Sequence, residues 1–256
     1  MEKQMLEGKA AIVTGASYGM GQTIAELFAE EGASVVLTAR GQEKLDAVVE
    51  GIRAKGQNAV GIVADVCSTE DTKKVFETAV KEFGHLDILV NNAGINIKKD
   101  YFDFTAEEFD KIMETQAKAP FMLSQTAAKY MKERKSGCIL FISSLASILG
   151  MHEIQAYTVA KSGVKGLARS LARDLGPYGI RVNSLNPGFV YTDMLKNTNL
   201  KTPGRLEEIQ NRTPMRGFAR EKDLGMAAAF LASDAARFIT GIDLVVDGGI
   251  SSSFLI

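Results

Sequence analysis

The sequence has little of what secreted and membrane proteins require. It contains two cysteines, Cys67 and Cys138, in 256 residues. Both lie in or beside strand-like runs and no signal peptide is recognisable, so we expect free thiols in a reducing cytoplasm. No apolar run approaches the roughly 20 residues that are needed to span a bilayer. We therefore expect no membrane partner.

The sequence also lacks an excess of either charge. Lys and Arg total 30 against 31 Asp and Glu, for a net charge of −1. This balance gives no reason to expect nucleic acid as a partner. Internal repeats and low-complexity tracts are missing too, and we expect no metal. The remaining expectation is one α/β domain over residues 1–256, long enough to bury a substantial core.

What the sequence does contain is an alternation of strand-like and helical segments. Strand-like runs are predicted at Ala10–Thr14, Ser34–Thr38, Asn58–Ala64, Asp87–Val90, Cys138–Ser143, Arg181–Leu185 and Leu244–Val246. Helical patterns fall between them, at about 19–31, 42–55, 69–83, 105–134, 155–176 and 221–233. The alternation predicts a Rossmann-type, doubly wound parallel sheet of about seven strands with helices on both faces. Such sheets bind ligands beyond the carboxyl ends of their strands.

A glycine-rich turn follows the first predicted strand. After Thr14 the sequence runs Gly15-Ala16-Ser17-Tyr18-Gly19-Met20-Gly21 and then continues as a helical pattern. Glycines at a strand-to-helix turn let the backbone approach a pyrophosphate, whose charge meets the helix N-terminal N–H groups. The spacing differs from the G-x-G-x-x-G of most dinucleotide folds. The strand before it and the helix after it nevertheless favour a dinucleotide site formed by Gly15, Ser17, Tyr18, Gly19, Met20 and Gly21.

A second group of residues combines a phenol with an ammonium. Tyr157 and Lys161, four residues apart, share one face of a predicted helix, and Ser144 follows the preceding strand. An unperturbed phenol has a pKa of about 10. A nearby ammonium favours the phenolate, so we expect Lys161 to lower the pKa of Tyr157 toward the working pH. Ser144 is expected to hydrogen-bond the oxygen that Tyr157 protonates.

Together these motifs resemble those of the short-chain dehydrogenase/reductase family. Three more segments agree with it, namely Asn91-Asn92-Ala93-Gly94, Pro187–Thr192 and Val246–Gly249. The resemblance spans nearly the whole chain and implies an oxidoreductase with Ser144, Tyr157 and Lys161 as the catalytic set. It also implies cofactor contacts from Asp65, Val66, Asn92, Ala93, Gly94, Tyr157, Lys161, Pro187, Gly188, Val190 and Thr192.

The end of the second predicted strand indicates which cofactor is used. An acidic residue there binds the ribose of NAD and repels a 2′-phosphate. Here the acidic position is Ala39, and Arg40, whose guanidinium suits phosphate oxygens, follows it. We therefore predict NADP(H). NAD(H) stays an alternative, because relatives that use NADP often carry a basic residue where this chain has Tyr18.

One position departs from the family pattern. Where relatives usually place an asparagine that holds a water linking the catalytic lysine to solvent, this chain has Gln116. A glutamine presents the same amide one methylene further out, so the relay could survive with shifted geometry. We include Gln116 in the catalytic set on that basis.

The substrate is the part that the sequence defines least. By resemblance, Asn96, His152 and Met194 border the substrate. The basic residues after Thr192 suit an acidic substrate, although they also fit a solvated helix face. The stretch Asn92–Asn96 and the lysines after it resemble gluconate 5-dehydrogenase-like members, which favours a sugar acid or polyol. Two alternatives stay open: a 3-oxoacyl thioester on acyl carrier protein, and a dinucleotide-binding sensor that has lost catalysis.

The resemblance also implies a homotetramer. Relatives pair the helices that correspond to residues 105–134 and 155–178 across a two-fold axis. Apolar surface for this pairing is expected from Phe121, Leu123, Leu167, Leu171 and Leu175. We also expect the terminal Phe254-Leu255-Ile256 to pack at a subunit interface.

Overall fold

Seven parallel strands form one twisted sheet in a computed structural model that describes residues 4–191, 195 and 204–253. The strands are β1 (Ala10–Thr14), β2 (Ser34–Ala39), β3 (Ala59–Val63), β4 (Ile88–Asn91), β5 (Gly137–Ile142), β6 (Ile180–Pro187) and β7 (Asp243–Val246). Their spatial order is β3-β2-β1-β4-β5-β6-β7. The order reverses between β1 and β4, and the crevice beyond their carboxyl ends is where such sheets bind ligands.

Helices cover both faces of the sheet. They are α1 (Gly19–Glu30), α2 (Gln42–Arg53), α3 (Thr69–Phe83), α4 (Ala106–Met113), α5 (Ala119–Arg134), α6 (Gln155–Leu175), α7 (Arg205–Arg212) and α8 (Glu221–Ala232). Buried side chains of α1, α2 and α8 share one hydrophobic core with the sheet, and those of α3, α5 and α6 share a second core on the opposite face. The doubly wound fold predicted from the alternation is therefore confirmed.

The predicted strand boundaries differ from the observed ones by at most two residues. The predicted helix over 105–134 is confirmed, since residues 106–134 are helical without interruption, but its middle is irregular. Residues Glu114–Lys118 form a π-helical turn that separates α4 from α5. A π-turn inserts an extra residue into the helix and rotates the side chains around it, which a hydrophobic period does not reveal. Helix α7 was not predicted as an element.

The expected interface side chains are distributed differently in the structure. Leu123 belongs to the core, so the prediction that it supplies apolar surface was wrong, whereas Leu167, Leu171 and Leu175 pack against the core and stay partly exposed. On the same helices the exposed apolar residues are Phe109, Phe121, Met122 and Val159. The difference arises because α5 and α6 use one face for the sheet, and only the opposite face stays open. The terminal residues 254–256 lie outside the described part of the chain.

Two other expectations concern the chain as a whole. Cys67 and Cys138 are both free thiols, as predicted. Within the described ranges, none of the helices has the length and apolar character required to cross a membrane.

Candidate cofactor and active sites

The glycine turn is built so that only glycine fits at its key positions. Gly15 and Gly19 have φ angles of 65° and 61°, in the left-handed region that other residues avoid. A Cβ on Gly15 would lie 2.8 Å from the Ala93 Cα, and one on Gly21 would lie 2.2 Å from the Gly15 carbonyl oxygen. The turn therefore packs backbone against backbone. Ser17 is buried beside it, and Met20 packs against the core of the α1 face.

The loop after β4 supports the glycine turn through side-chain hydrogen bonds. The Thr14 hydroxyl accepts from the N–H groups of Asn92 and Ala93, both at 3.0 Å, and donates to the Val90 carbonyl. The Asn92 amide donates to the carbonyls of Thr14 and Gly15 at 2.9 and 3.1 Å. The predicted cofactor residue Asn92 thus uses its amide nitrogen to hold the turn.

These features fit the pyrophosphate of a dinucleotide. Helix α1 begins at Gly19, and its N-cap residue Tyr18 makes no side-chain hydrogen bond to the first turn. The N–H groups of that turn are therefore available to an anion, and the absence of Cβ atoms lets the anion come close.

The end of β2 carries the predicted determinants of cofactor choice. Ala39 is buried and Arg40 is exposed directly after it. The neighbouring β3 is followed by Asp65, whose carboxylate accepts from the Cys67 N–H at 2.9 Å and forms a local turn. Val66 packs against the core of the α3 face. These residues lie beyond adjacent strands, on the β2 side of the glycine turn.

Ser144, Tyr157 and Lys161 come together beyond the end of β5. The Ser144 hydroxyl accepts from the Ala146 N–H at 3.1 Å and lies close enough to the Tyr157 hydroxyl to act on its pKa. The Lys161 ammonium lies 5.5 Å from the centre of the Tyr157 ring and donates to the Ile142 carbonyl at 2.7 Å. Residues from a strand end and from one helix face therefore form a compact group.

The charge state of this group differs from the expectation. Burial raises the pKa of Tyr157 above its ordinary value, and the hydrogen bond with Ser144 acts in the opposite direction. Burial also lowers the pKa of Lys161 to about 7. The prediction that Lys161 lowers the pKa of Tyr157 was wrong for this arrangement, because the amine is buried and only partly charged near neutral pH.

A hydroxyl network that the sequence analysis missed holds the Ser144 segment in place. The Ser147 hydroxyl bonds the Ser144 carbonyl at 2.6 Å and the Asn186 side-chain oxygen at 3.1 Å. The Ser143 hydroxyl donates to the Lys161 carbonyl at 3.0 Å. Helix α6, strand β6 and the end of β5 are thereby tied together around Ser144. The signal was the run of three serines within five residues at a strand end, because such hydroxyls bond nearby backbone.

Gln116 lies in the π-turn, and 1 % of its surface is exposed. Its amide nitrogen donates to the Ile95 carbonyl. A Cβ on Gly94 would come within 2.6 Å of the Gln116 Oε1, so these two residues are packed together. That Oε1 is buried and has no hydrogen-bond partner in the described part of the chain. The structure thus places Gln116 against the loop after β4.

The remaining candidate residues lie in or next to the segments that follow β4, β5 and β6. Asn96 and His152 are exposed, and their segments are joined by a 3.1 Å hydrogen bond from the Lys99 N–H to the Glu153 carbonyl. Pro187 ends β6 and is buried, and Gly188 packs against Asp247 so closely that a Cβ would lie 2.5 Å from its Cα. Val190 bridges to Ala219. Thr192 and Met194 lie outside the described residues.

Comparison with known proteins identifies the relatives of this chain. A family model described as enoyl-(acyl carrier protein) reductase matches residues 15–251. The chain is 39% identical over 242 residues to the 3-oxoacyl-(acyl-carrier-protein) reductase FabG of Staphylococcus aureus, covering 94% of this chain and 97% of the relative. It is 37% identical over 251 residues to an L-rhamnose 1-dehydrogenase (NAD(P)(+)) of Azotobacter vinelandii, covering 96% and 98%.

A solved structure agrees in shape. It is provisionally assigned as a gluconate dehydrogenase of Agrobacterium tumefaciens and superimposes with a TM-score of 0.94 at 32% identity, covering 99% of this chain and all of the other. The matches to these relatives thus extend over nearly the full length of the chain. The chain belongs to the short-chain dehydrogenase/reductase family, whose members use NAD(P)(H), and it is an enzyme that acts on alcohol or ketone groups.

Proposed function

We propose that the protein is an NADP(H)-dependent oxidoreductase that interconverts a ketone and a secondary alcohol of a sugar acid or polyol. The observation that carries the proposal is the buried ammonium of Lys161, held by the Ile142 carbonyl 5.5 Å from the Tyr157 ring, with Ser144 close to the Tyr157 hydroxyl. When bound, the nicotinamide supplies or takes up the hydride. The chain's own groups handle the proton and the substrate oxygen.

In the reductive direction Tyr157 donates the proton to the carbonyl oxygen. Its raised pKa keeps the phenol protonated at neutral pH, so that it serves as an acid. Ser144 hydrogen-bonds the same oxygen and polarises the carbonyl. Lys161, with a pKa of about 7, adds positive charge near the ring as it protonates and also holds the nicotinamide ribose. Gln116, which packs on the loop after β4, carries the relay role.

The glycine turn and the ends of β2 and β3 would hold the rest of the cofactor. Gly15, Gly19 and Gly21 would take the pyrophosphate, and Asp65 the adenine. The preference for NADP(H) is supported by the absence of an acid at Ala39 and by the exposed guanidinium of Arg40. NAD(H) is the alternative cofactor.

The substrate class is supported by two exposed polar residues near the loop after β4 and by the relatives. Asn96 and His152 present exposed polar groups next to the loop after β4. The relatives include proteins described as acting on gluconate and on L-rhamnose. The second candidate is a 3-oxoacyl thioester on acyl carrier protein, favoured by the 39% identity to a protein of that name. A sensor without catalysis is disfavoured, because Ser144, Tyr157 and Lys161 are all present and lie close together.

The proposal extends to assembly and location. The chain forms one domain over residues 1–256 and acts in the cytoplasm on a small molecule, without nucleic acid, membrane or metal. It forms a homotetramer. The exposed apolar residues Phe109, Phe121, Met122 and Val159 support pairing through α4, α5 and α6.

The test is an absorbance assay of the purified protein with a panel of substrates. Sugar acids, polyols and their keto forms are compared with acetoacetyl thioesters, each with NADPH or NADH and in both directions. Faster turnover of a sugar acid or polyol with NADP(H) is the expected result. Faster turnover of the thioester would support the second candidate, and no turnover of any carbonyl or alcohol would contradict the enzyme proposal.

A further inference from the structure

Two exposed cations lie close together beyond the end of β2. Arg40 follows the strand directly, and Lys44 belongs to the first turn of α2. Within the described ranges, neither has a carboxylate at ion-pair distance. One acidic residue, Glu43, shares that turn. The segment therefore keeps positive charge that the fold itself does not neutralise, and such charge attracts an anion.

Lys44 also contacts the glycine turn. Its ammonium lies 5.8 Å from the centre of the Tyr18 ring, within the range of a cation–π interaction. The two residues meet because Thr14 of β1 pairs with Thr38 of β2, and the Ala16 N–H extends that pairing to the Thr38 carbonyl at 3.1 Å. The glycine turn and the start of α2 thus leave the sheet side by side.

We propose that Lys44, held over Tyr18, determines cofactor specificity by binding the 2′-phosphate of the adenosine ribose together with Arg40. The inference rests on the proposed preference for NADP(H). At position 18 the glycine turn has a tyrosine and no cationic side chain. The ammonium of Lys44, from helix α2, lies next to that tyrosine. The Tyr18 ring, 68% exposed, faces the Lys44 ammonium and restricts its position. Lys44 therefore provides the charge that the turn lacks.

The experiment measures binding of two nucleotides that differ only by the 2′-phosphate. Adenosine 2′,5′-bisphosphate and adenosine 5′-monophosphate are titrated calorimetrically into the full-length protein and into Lys44→Met. A charge-assisted contact to phosphate predicts roughly tenfold weaker binding of the bisphosphate and less than about twofold change for the monophosphate. The matched control is Lys132→Met, because Lys132 lies 4.6 Å from the Tyr178 ring, away from the end of β2.

The role of the ring is tested by two substitutions of Tyr18. Tyr18→Leu removes the aromatic face and is expected to weaken bisphosphate binding a few-fold, whereas Tyr18→Phe keeps the face and the affinity. Loss of affinity in Tyr18→Phe equal to that in Tyr18→Leu would overturn this role of the ring.

The outcomes separate this inference from the proposal beneath it. If the unmodified protein binds both nucleotides equally, the preference for NADP(H) fails and the inference with it. If the bisphosphate is preferred and Arg40→Ala abolishes the preference, but Lys44→Met behaves like Lys132→Met, only the inference is overturned. Equal weakening of both nucleotides by Lys44→Met would overturn it as well.

Discussion

The glycine turn and the Ser144–Tyr157–Lys161 group lie beyond ends of the same sheet but depend on different physics. The turn is defined by distances between backbone atoms, with positive φ angles and no room for a Cβ. The second group is defined by burial, which moves the pKa of Tyr157 upward and that of Lys161 down to about 7. Short-range geometry can be inferred from residue types, whereas burial depends on everything that packs around a side chain.

The largest effect is expected from Tyr157→Phe, in the buried Ser144–Tyr157–Lys161 group. The change removes the proton donor and keeps the ring, so turnover should fall by a factor of about 10² to 10⁴ or more while folding and nucleotide binding persist. Steady-state rates and thermal midpoints measure this. Tyr178→Phe, which changes a tyrosine outside the site, is the control and should leave the rate unchanged. Retention of more than about a tenth of the rate would exclude Tyr157 as the acid.

The lowered pKa of Lys161 leads us to expect that the free energy of unfolding depends on pH. Its pKa is lowered from 10.5 to about 7 in the folded protein, so between these values the unfolded chain binds the extra proton. The free energy of unfolding should therefore rise with pH through this window, by up to about 1.4 kcal/mol per pH unit. Below the window the buried ammonium destabilises the fold, and above it the penalty disappears.

The measurement is urea denaturation of the unmodified protein and of Lys161→Met at several pH values within that window. The difference between the two unfolding free energies isolates Lys161 from other titrating groups. It should increase with pH. A difference that stays constant would mean that the amine keeps an ordinary pKa in the folded protein.

Gly21→Ala tests the backbone geometry of the glycine turn. The added Cβ would lie 2.2 Å from the Gly15 carbonyl oxygen and 2.4 Å from the Asn92 amide nitrogen, so the turn must shift. Overpacking of this kind costs about 1–3 kcal/mol and should greatly weaken dinucleotide binding. Gly51→Ala is the control, because it lies in α2 with no atom within 4 Å of the new Cβ. Equal stability and binding in both variants would show that the turn tolerates a side chain.

The smallest effect is expected from Ser147→Ala, which changes the local hydrogen-bond geometry around the buried Ser144–Tyr157–Lys161 group. The change removes the one hydroxyl proton that is shared between the Ser144 carbonyl and the Asn186 side-chain oxygen, worth about 0.5–1.5 kcal/mol. If the network positions Ser144, kcat should fall several-fold with little change in KM. Thr72→Ala, which removes a similar hydroxyl-to-carbonyl bond on exposed α3, is the control. A change in KM alone would point to substrate binding instead.

Much of the fold was predictable because its signals are local. Apolar runs separated by helical patterns predicted the seven strands to within two residues, and the strands β1, β2, β4 and β5 are buried almost throughout and consist mainly of apolar residues. The π-turn at Glu114–Lys118 was not predictable, because it keeps the helical composition around it. The position of Leu123 was mispredicted for a related reason, since helical spacing does not say which face meets the sheet.

The sequence by itself determined which residues meet at the site. The glycines at 15, 19 and 21 and the four-residue spacing of Tyr157 and Lys161 act over one turn of backbone, where residue type decides the conformation. Only the tertiary structure decided how those groups behave. Three contacts join residues that are distant in the chain: Gln116 packs on Gly94, Ser147 bonds Asn186, and Lys44 approaches Tyr18. The pKa of Lys161 likewise depends on its burial in the folded protein. Desolvation and close packing depend on that assembly, because neither exists until the strands and helices are brought together.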